Sequence, residues 1–141
     1  MGCEIKGQTF NGLLVGLETL CGPDARARVL PHLNPELRLL VERGAVMASG
    51  WYELRWYSEL TTAIAREFPG VSGLELGRIG MRHDINRFSR FVLSMASPAM
   101  LFKMSAMLMG MYFRGAELKA TPTGAGGIAK FSGMEGACDA T

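Results

Sequence analysis

Residues Ser97–Thr123 read SPAMLFKMSAMLMGMYFRGAELKATPT, and a change of period inside this stretch decides the fold class. Ser97-Pro98 opens a long helix running to about Phe113. Met100, Leu101, Met104, Met107, Leu108 and Met111 make one face of it, and Phe102, Ala106, Met109 and Phe113 make much of the other. A helix apolar nearly all round is expected at the centre of a fold, covered on most sides. After Arg114-Gly115 the spacing turns from helical to alternating. Ala116 to Thr123 and Ile128 to Ser132 read as two strands, with Gly124-Ala125-Gly126-Gly127 as their turn. A lone hairpin is marginal in water, so this one should pack on the helices or pair with further strands.

Upstream the period is helical throughout. Phe10, Leu13, Leu14, Leu17 and Leu20 mark one helical face that Gly22-Pro23 ends. Asp24 to Leu30 reads as a short helix stopped by Pro31. Asn34-Pro35 is an N-cap followed by proline at the first helical position, with Gly44 where a C-terminal glycine belongs. Val46 to Gly50 reads as an irregular, strand-like link. Tyr57, Leu60, Thr61, Ile64 and Phe68 share a face of a helix from about Leu54 that Pro69-Gly70 terminates. Ser72 and Glu75 have capping-box spacing for a further helix to about Phe88, and Gly77 and Gly80 inside it predict close backbone packing. The expected class is therefore α+β. A helical N-terminal two-thirds packs on a C-terminal antiparallel hairpin or small sheet, in one domain spanning 1–141. The Gly- and Ala-rich end carries no capped element, so the domain reads as cut short.

Composition narrows the function classes. With 141 residues, the chain can bury roughly two-thirds of its unfolded surface without help from disulfides or metals. A net charge of +2 is too small to argue for nucleic acid or an anionic membrane surface. The most apolar run, Met104 to Phe113, is about half of the roughly 20 residues that a membrane-spanning helix needs. The N-terminus shows no signal-peptide pattern, and Lys6 stands where a myristoylation site prefers Ser or Thr. Cys3, Cys21 and Cys138 are odd in number and far apart, and read as reduced thiols of a cytoplasmic protein.

No motif carries chemistry. Gly124 to Ala129 matches a GxGxxA fingerprint literally, but Pro122 precedes it and too little chain follows for the helix that must face a pyrophosphate. No cofactor is expected. His83-Asp84 could begin a metal site, yet His32 is the only other histidine and no cysteine cluster exists. Ser72 is better explained as a helix cap than as a nucleophile, and Glu59 and Glu67 read as solvated charges on an outer face. No catalytic residue and no metal ligand is assigned. Arg78 and Arg82 share a helix face at i, i+4, with Arg87 and Arg90 nearby, and are the candidates for an anion or partner contact. The ten methionines stand out most. Methionine is flexible and polarisable, and it fills ordinary cores as well as adaptable apolar pockets.

Several short signatures occur in order: Trp51-Tyr52, Phe68-Pro69-Gly70, Leu76-Gly77-Arg78, Ser97-Pro98 and Tyr112-Phe113-Arg114-Gly115-Ala116-Glu117-Leu118. Together, over about Gly7 to Gly136, they resemble a bacterial family related to the four-vinyl-reductase small-molecule-binding and heme-nitric-oxide-binding-like superfamily. The resemblance implies a ligand-sensing or signalling module whose helical half packs on a sheet. It implies no heme, because the Tyr-x-Ser-x-Arg motif of the heme-binding branch is missing and Tyr57-Ser58-Glu59 does not supply it. The family's final helix after the hairpin is missing as well.

Three functions follow as expectations. The first is a non-catalytic sensor or regulatory domain that binds a small apolar ligand, with Trp56, Met104, Met107 and Met111 as its lining. The second is a protein-interaction or homodimerisation module using the same residues. The third is a small hydrolase or lyase, which would need His83, Asp84 and Glu75 to meet in a cleft.

Overall fold

The computed structural model describes residues 2–85, 87–123 and 126–133. Strand β1 (Glu4–Lys6) runs directly into helix α1 (Gly7–Cys21). Helix α2 (Ala25–Val29), a 3-10 turn (Leu30–His32) and α3 (Pro35–Glu42) follow. Next come β2 (Trp51–Glu53), α4 (Leu54–Glu67), α5 (Gly73–Asp84), α6 (Arg87–Met95) and α7 (Pro98–Tyr112). The described chain closes with β3 (Phe113–Arg114) and the hairpin β4 (Glu117–Thr123) and β5 (Gly126–Ser132). The architecture is the expected α+β arrangement, a helical body with small antiparallel sheets and a C-terminal hairpin. No described helix is long and apolar enough to cross a membrane.

Local chemistry sets the helix ends. Asn34 Oδ1 accepts from the Leu37 amide at 3.0 Å, and α3 stops where Gly44 takes a φ of +60°. Ser97 caps α7 by accepting from the Met100 amide at 3.2 Å. The capping box expected at Ser72 and Glu75 is not formed, since Ser72 makes no side-chain cap bond. The helix expected to reach Phe88 ends at Asp84, with Ile85 extended, and α6 is separate. Aspartate competes with the backbone for hydrogen bonds and β-branched isoleucine is stiff, so the helix breaks there readily.

Two of the strands fall where no alternation announces them. Ile5 is central in a three-stranded antiparallel sheet of order β2-β1-β3, facing Tyr52 on one side and Phe113 on the other. The Trp51 ring carries Lys6 and Arg114 over it, at 4.9 and 4.0 Å from its centroid. The hairpin forms its own sheet, with Glu117 opposite Ser132 and Thr123 opposite Gly126. Gly126 and Gly127 already belong to β5, and the expected turn residues Gly124 and Ala125 lie outside the described residues. The hairpin packs on α7, where Gly127 lies against the Phe102 ring with no space for a Cβ.

Every fully buried hydrophobic side chain among the described residues lies between Cys3 and Leu76. Phe10, Leu14 and Leu17 of α1 meet Leu37, Val41, Leu60 and Ile64, and the Tyr52 and Tyr57 rings stand edge-on to Phe10. The central helix is thus α1. Helix α7, expected there, lies at the margin, with Met107 62% and Met111 56% exposed. Its apolar pattern lacks a polar face, but only a matching partner surface could bury all its sides, and the described chain supplies one for part of the helix.

Glu59 and Glu67 are also not free on an outer face. Glu59 receives both the amide and the side-chain amide of Asn34, which ties the α3 cap to α4. Glu67 receives Arg28 at 2.9 Å and lies 3.2 Å from His32 Nε2. The His32 and Arg28 hydrogen bonds hold the Glu67 carboxyl below the ordinary carboxylate range.

Candidate functional site

Two glycines one helical turn apart shape the site. A Cβ on Gly80 would stand 2.8 Å from the Gly12 carbonyl oxygen, so α1 and α5 touch backbone to backbone at that level. Gly16 repeats the contact, its missing Cβ 2.9 Å from the Leu76 carbonyl. At Gly77 a Cβ would meet nothing within 4 Å. The helices are clamped at Leu76 and at Gly80, and Gly77 between these contacts looks onto open space, bordering a cavity of about 480 Å³.

Helix α1 gives the cavity Thr9, Gly12 and Leu13, and α4 gives Tyr57. Helix α5 adds Leu76, Gly77, Gly80, Met81 and Asp84, with Ile85 just beyond it. Met109 and Tyr112 of α7, Phe113 of β3, and Leu118 and Phe131 of the hairpin close the far side. The walls are almost wholly apolar, and a few polar atoms converge among them. Thr9 Oγ1 donates to the Lys6 carbonyl at 2.6 Å, leaving its lone pairs to accept.

Asp84 is the one charged side chain in the lining, which contains no Lys, Arg or His. It ends α5, where the helix dipole disfavours a negative charge, and its side chain is only 15% exposed. Asp84 Oδ1 lies 3.4 Å from His83 Nδ1. A Cβ on Gly12 would come within 2.8 Å of Oδ2, so the glycine leaves room for the carboxyl. Burial pushes the Asp84 carboxyl above its ordinary value, and His83 opposes that shift. Burial also raises the Tyr57 phenol, and the Asp84 charge raises it further, so Tyr57 stays a protonated donor.

The residues singled out from sequence lie elsewhere. Trp56, Met104, Met107 and Met111 are not in the cavity wall, and Met109 is the methionine of α7 that lines it. Trp56 is half-buried against the Tyr52 ring and borders a separate, more polar depression with Asn34, Glu53 and Glu59. Met104 is half-buried, while Met107 and Met111 face outward. Arg78 and Arg82 do share a face, and they flank a shallow depression with Arg90, whose guanidinium donates to the Arg82 carbonyl at 3.1 Å. His83 and Asp84 are adjacent, but Glu75 is exposed and not in the cavity wall. Among the described residues no three His, Cys, Asp or Glu side chains group as a metal would require.

Sequence reasoning passed over Asp84 and Tyr57 as lining. A signal was available in the acid that follows Gly77 and Gly80 on one helix, because glycines that admit a second backbone also mark where a space can open. Comparisons with protein-family models, with curated proteins and with solved structures found no match to this chain.

Proposed function

We propose that the protein is a non-catalytic small-molecule-binding domain of the sensor or regulatory kind, acting in the bacterial cytoplasm. Its ligand occupies the cavity between α1, α5, α7 and the hairpin. The observation that carries this reading is the cavity itself. Its volume of about 480 Å³ falls in the range of ligand pockets, and its apolar walls surround the few polar groups of Tyr57, Thr9 and Asp84. The resemblance to small-molecule-binding domains points the same way. No nucleophile, base and orienting group stand together in the cavity wall, so binding is favoured over catalysis.

Native mass spectrometry of the purified chain tests it, with the Gly77→Leu variant beside it. The parent should carry a non-covalent mass that denaturation removes. Gly77→Leu should fill the cavity without meeting backbone, and so lose that mass while keeping its helicity and melting temperature. Equal retention of the mass by the variant would move the ligand elsewhere.

A second reading, an interaction or oligomerisation module, draws on the exposed apolar side chains Phe91, Met95, Met107, Met111, Ile128 and Phe131. It predicts a dimer by sedimentation that Met107→Glu dissociates.

A further inference from the structure

We propose that the cavity selects ligands carrying one ammonium group on an apolar body, with Asp84 as the counter-charge, and that it discriminates against carboxylates. This rests on the reading of the cavity as a ligand site and goes on to name the ligand class. The sign of the charge in the lining decides it. Asp84 is the one carboxyl in the lining, which has no Lys, Arg or His, and the other polar side-chain groups there are hydroxyls. A ligand anion would meet a like charge in a poorly solvated space, with no Lys, Arg or His in the wall to compensate it.

An ammonium would relieve three costs at once. It neutralises an acid that stands largely removed from water. It offsets the negative end of the α5 dipole, on which that acid is placed. It also supplies donors to a carboxylate whose one ion-pair neighbour among the described residues is His83, at 3.4 Å from Oδ1. The nearby basic residues do not perform this role. Arg78, Arg82 and Arg90 flank the outer depression, beyond Met81 and Ile85, which separate it from the cavity. Oδ1 is turned toward His83, while Oδ2 lies over Gly12, itself a lining residue. Oδ2 therefore stands at the α1 wall of the cavity, where a cation can meet it without displacing His83.

Three probes of equal chain length separate the head group from the tail: n-octylamine, n-octanol and sodium octanoate. They are titrated calorimetrically into the full chain at pH 7, and into the Asp84→Asn and Gly77→Leu variants. Octylamine should bind the parent at least about tenfold more tightly than octanoate, the scale of a charge-assisted hydrogen bond. Asp84→Asn should lower the octylamine affinity at least about tenfold, leave octanol unchanged, and improve octanoate. Gly77→Leu should weaken all three. Equal binding of the amine and the carboxylate by the parent, with Gly77→Leu still blocking both, overturns the head-group assignment and leaves the cavity reading standing. Binding of no probe, or binding that Gly77→Leu does not change, overturns both.

Discussion

Helices α1 and α7 are each 15 residues long and both are rich in apolar side chains, yet they sit in opposite environments. Helix α1 buries Phe10, Leu13, Leu14 and Leu17 and meets another backbone at Gly12 and Gly16. Helix α7 has no fully buried side chain among those described, and Met100, Met107 and Met111 face outward. Apolar content alone did not choose the centre of the fold. Shape did, because small residues at a four-residue interval let a second helix approach, and that approach covers the neighbouring side chains. A long methionine row offers no such groove, and its flexible side chains suit a surface that is covered only part of the time.

The widest separation between the two helices should appear in denaturant. Leu17→Ala should cost about 2–5 kcal/mol, because it empties a site in the packed core. Met107→Ala should stay within about 0.5 kcal/mol, as for most exposed positions. Urea unfolding of both variants checks this, and a cost near that of Leu17→Ala at Met107 would mean that something covers α7 in solution. The next effect sharpens the contrast within α5 alone. Gly80→Ala should destabilise by about 1–3 kcal/mol, since its methyl enters the Gly12 backbone. Gly77→Ala, one turn earlier in open space, should instead stabilise by up to about 1 kcal/mol through helix propensity. Matching signs at the two positions would remove the clamp-and-gap account of the cavity.

The smallest effect concerns charge. Asp84 is raised above the ordinary aspartate value of 3.8, so the folded state holds that proton more tightly than the unfolded chain does. Stability contributed by the neutral acid is present below pH 3.8 and is lost as pH rises through the folded value. Asp84→Asn should therefore melt higher than the parent at pH 7, and the gain should vanish in acid. Thermal melts across pH check the sign, and a variant that melts lower at pH 7 would show that His83 outweighs burial.

Much of the fold was legible because its signals are local. Asn34-Pro35, Gly44 and Ser97-Pro98 set helix ends through bonds to atoms three or four residues away, and alternation from Glu117 announces the hairpin. Strands β1 and β2 were not legible. Three residues give no period to read, and what makes them strands is Ile5 meeting Tyr52 and Phe113 from distant parts of the chain. The cavity was half legible. Gly80 was expected to pack closely and does, whereas the same expectation at Gly77 is not met, because a glycine facing a space and a glycine facing a backbone look alike in sequence. Asp84 was weighed beside His83 as the start of a metal site and set aside, and its place in the cavity wall follows instead from the apolar residues that α1, α7 and the hairpin bring around it.

The three-stranded sheet has a consequence in time. Its middle strand leaves the ribosome before the rest of the sheet, and β2 can join it early, but β3 follows only after α4 through α7 have been made. At about 5–20 residues per second, Ile5 waits several seconds with one edge unpaired. The segments up to Leu76 can collapse during that wait, since they already hold all the buried hydrophobic side chains found among the described residues. The cavity has no far wall until Phe113, Leu118 and Phe131 arrive. A nascent chain can thus gain its stability well before its cavity is complete.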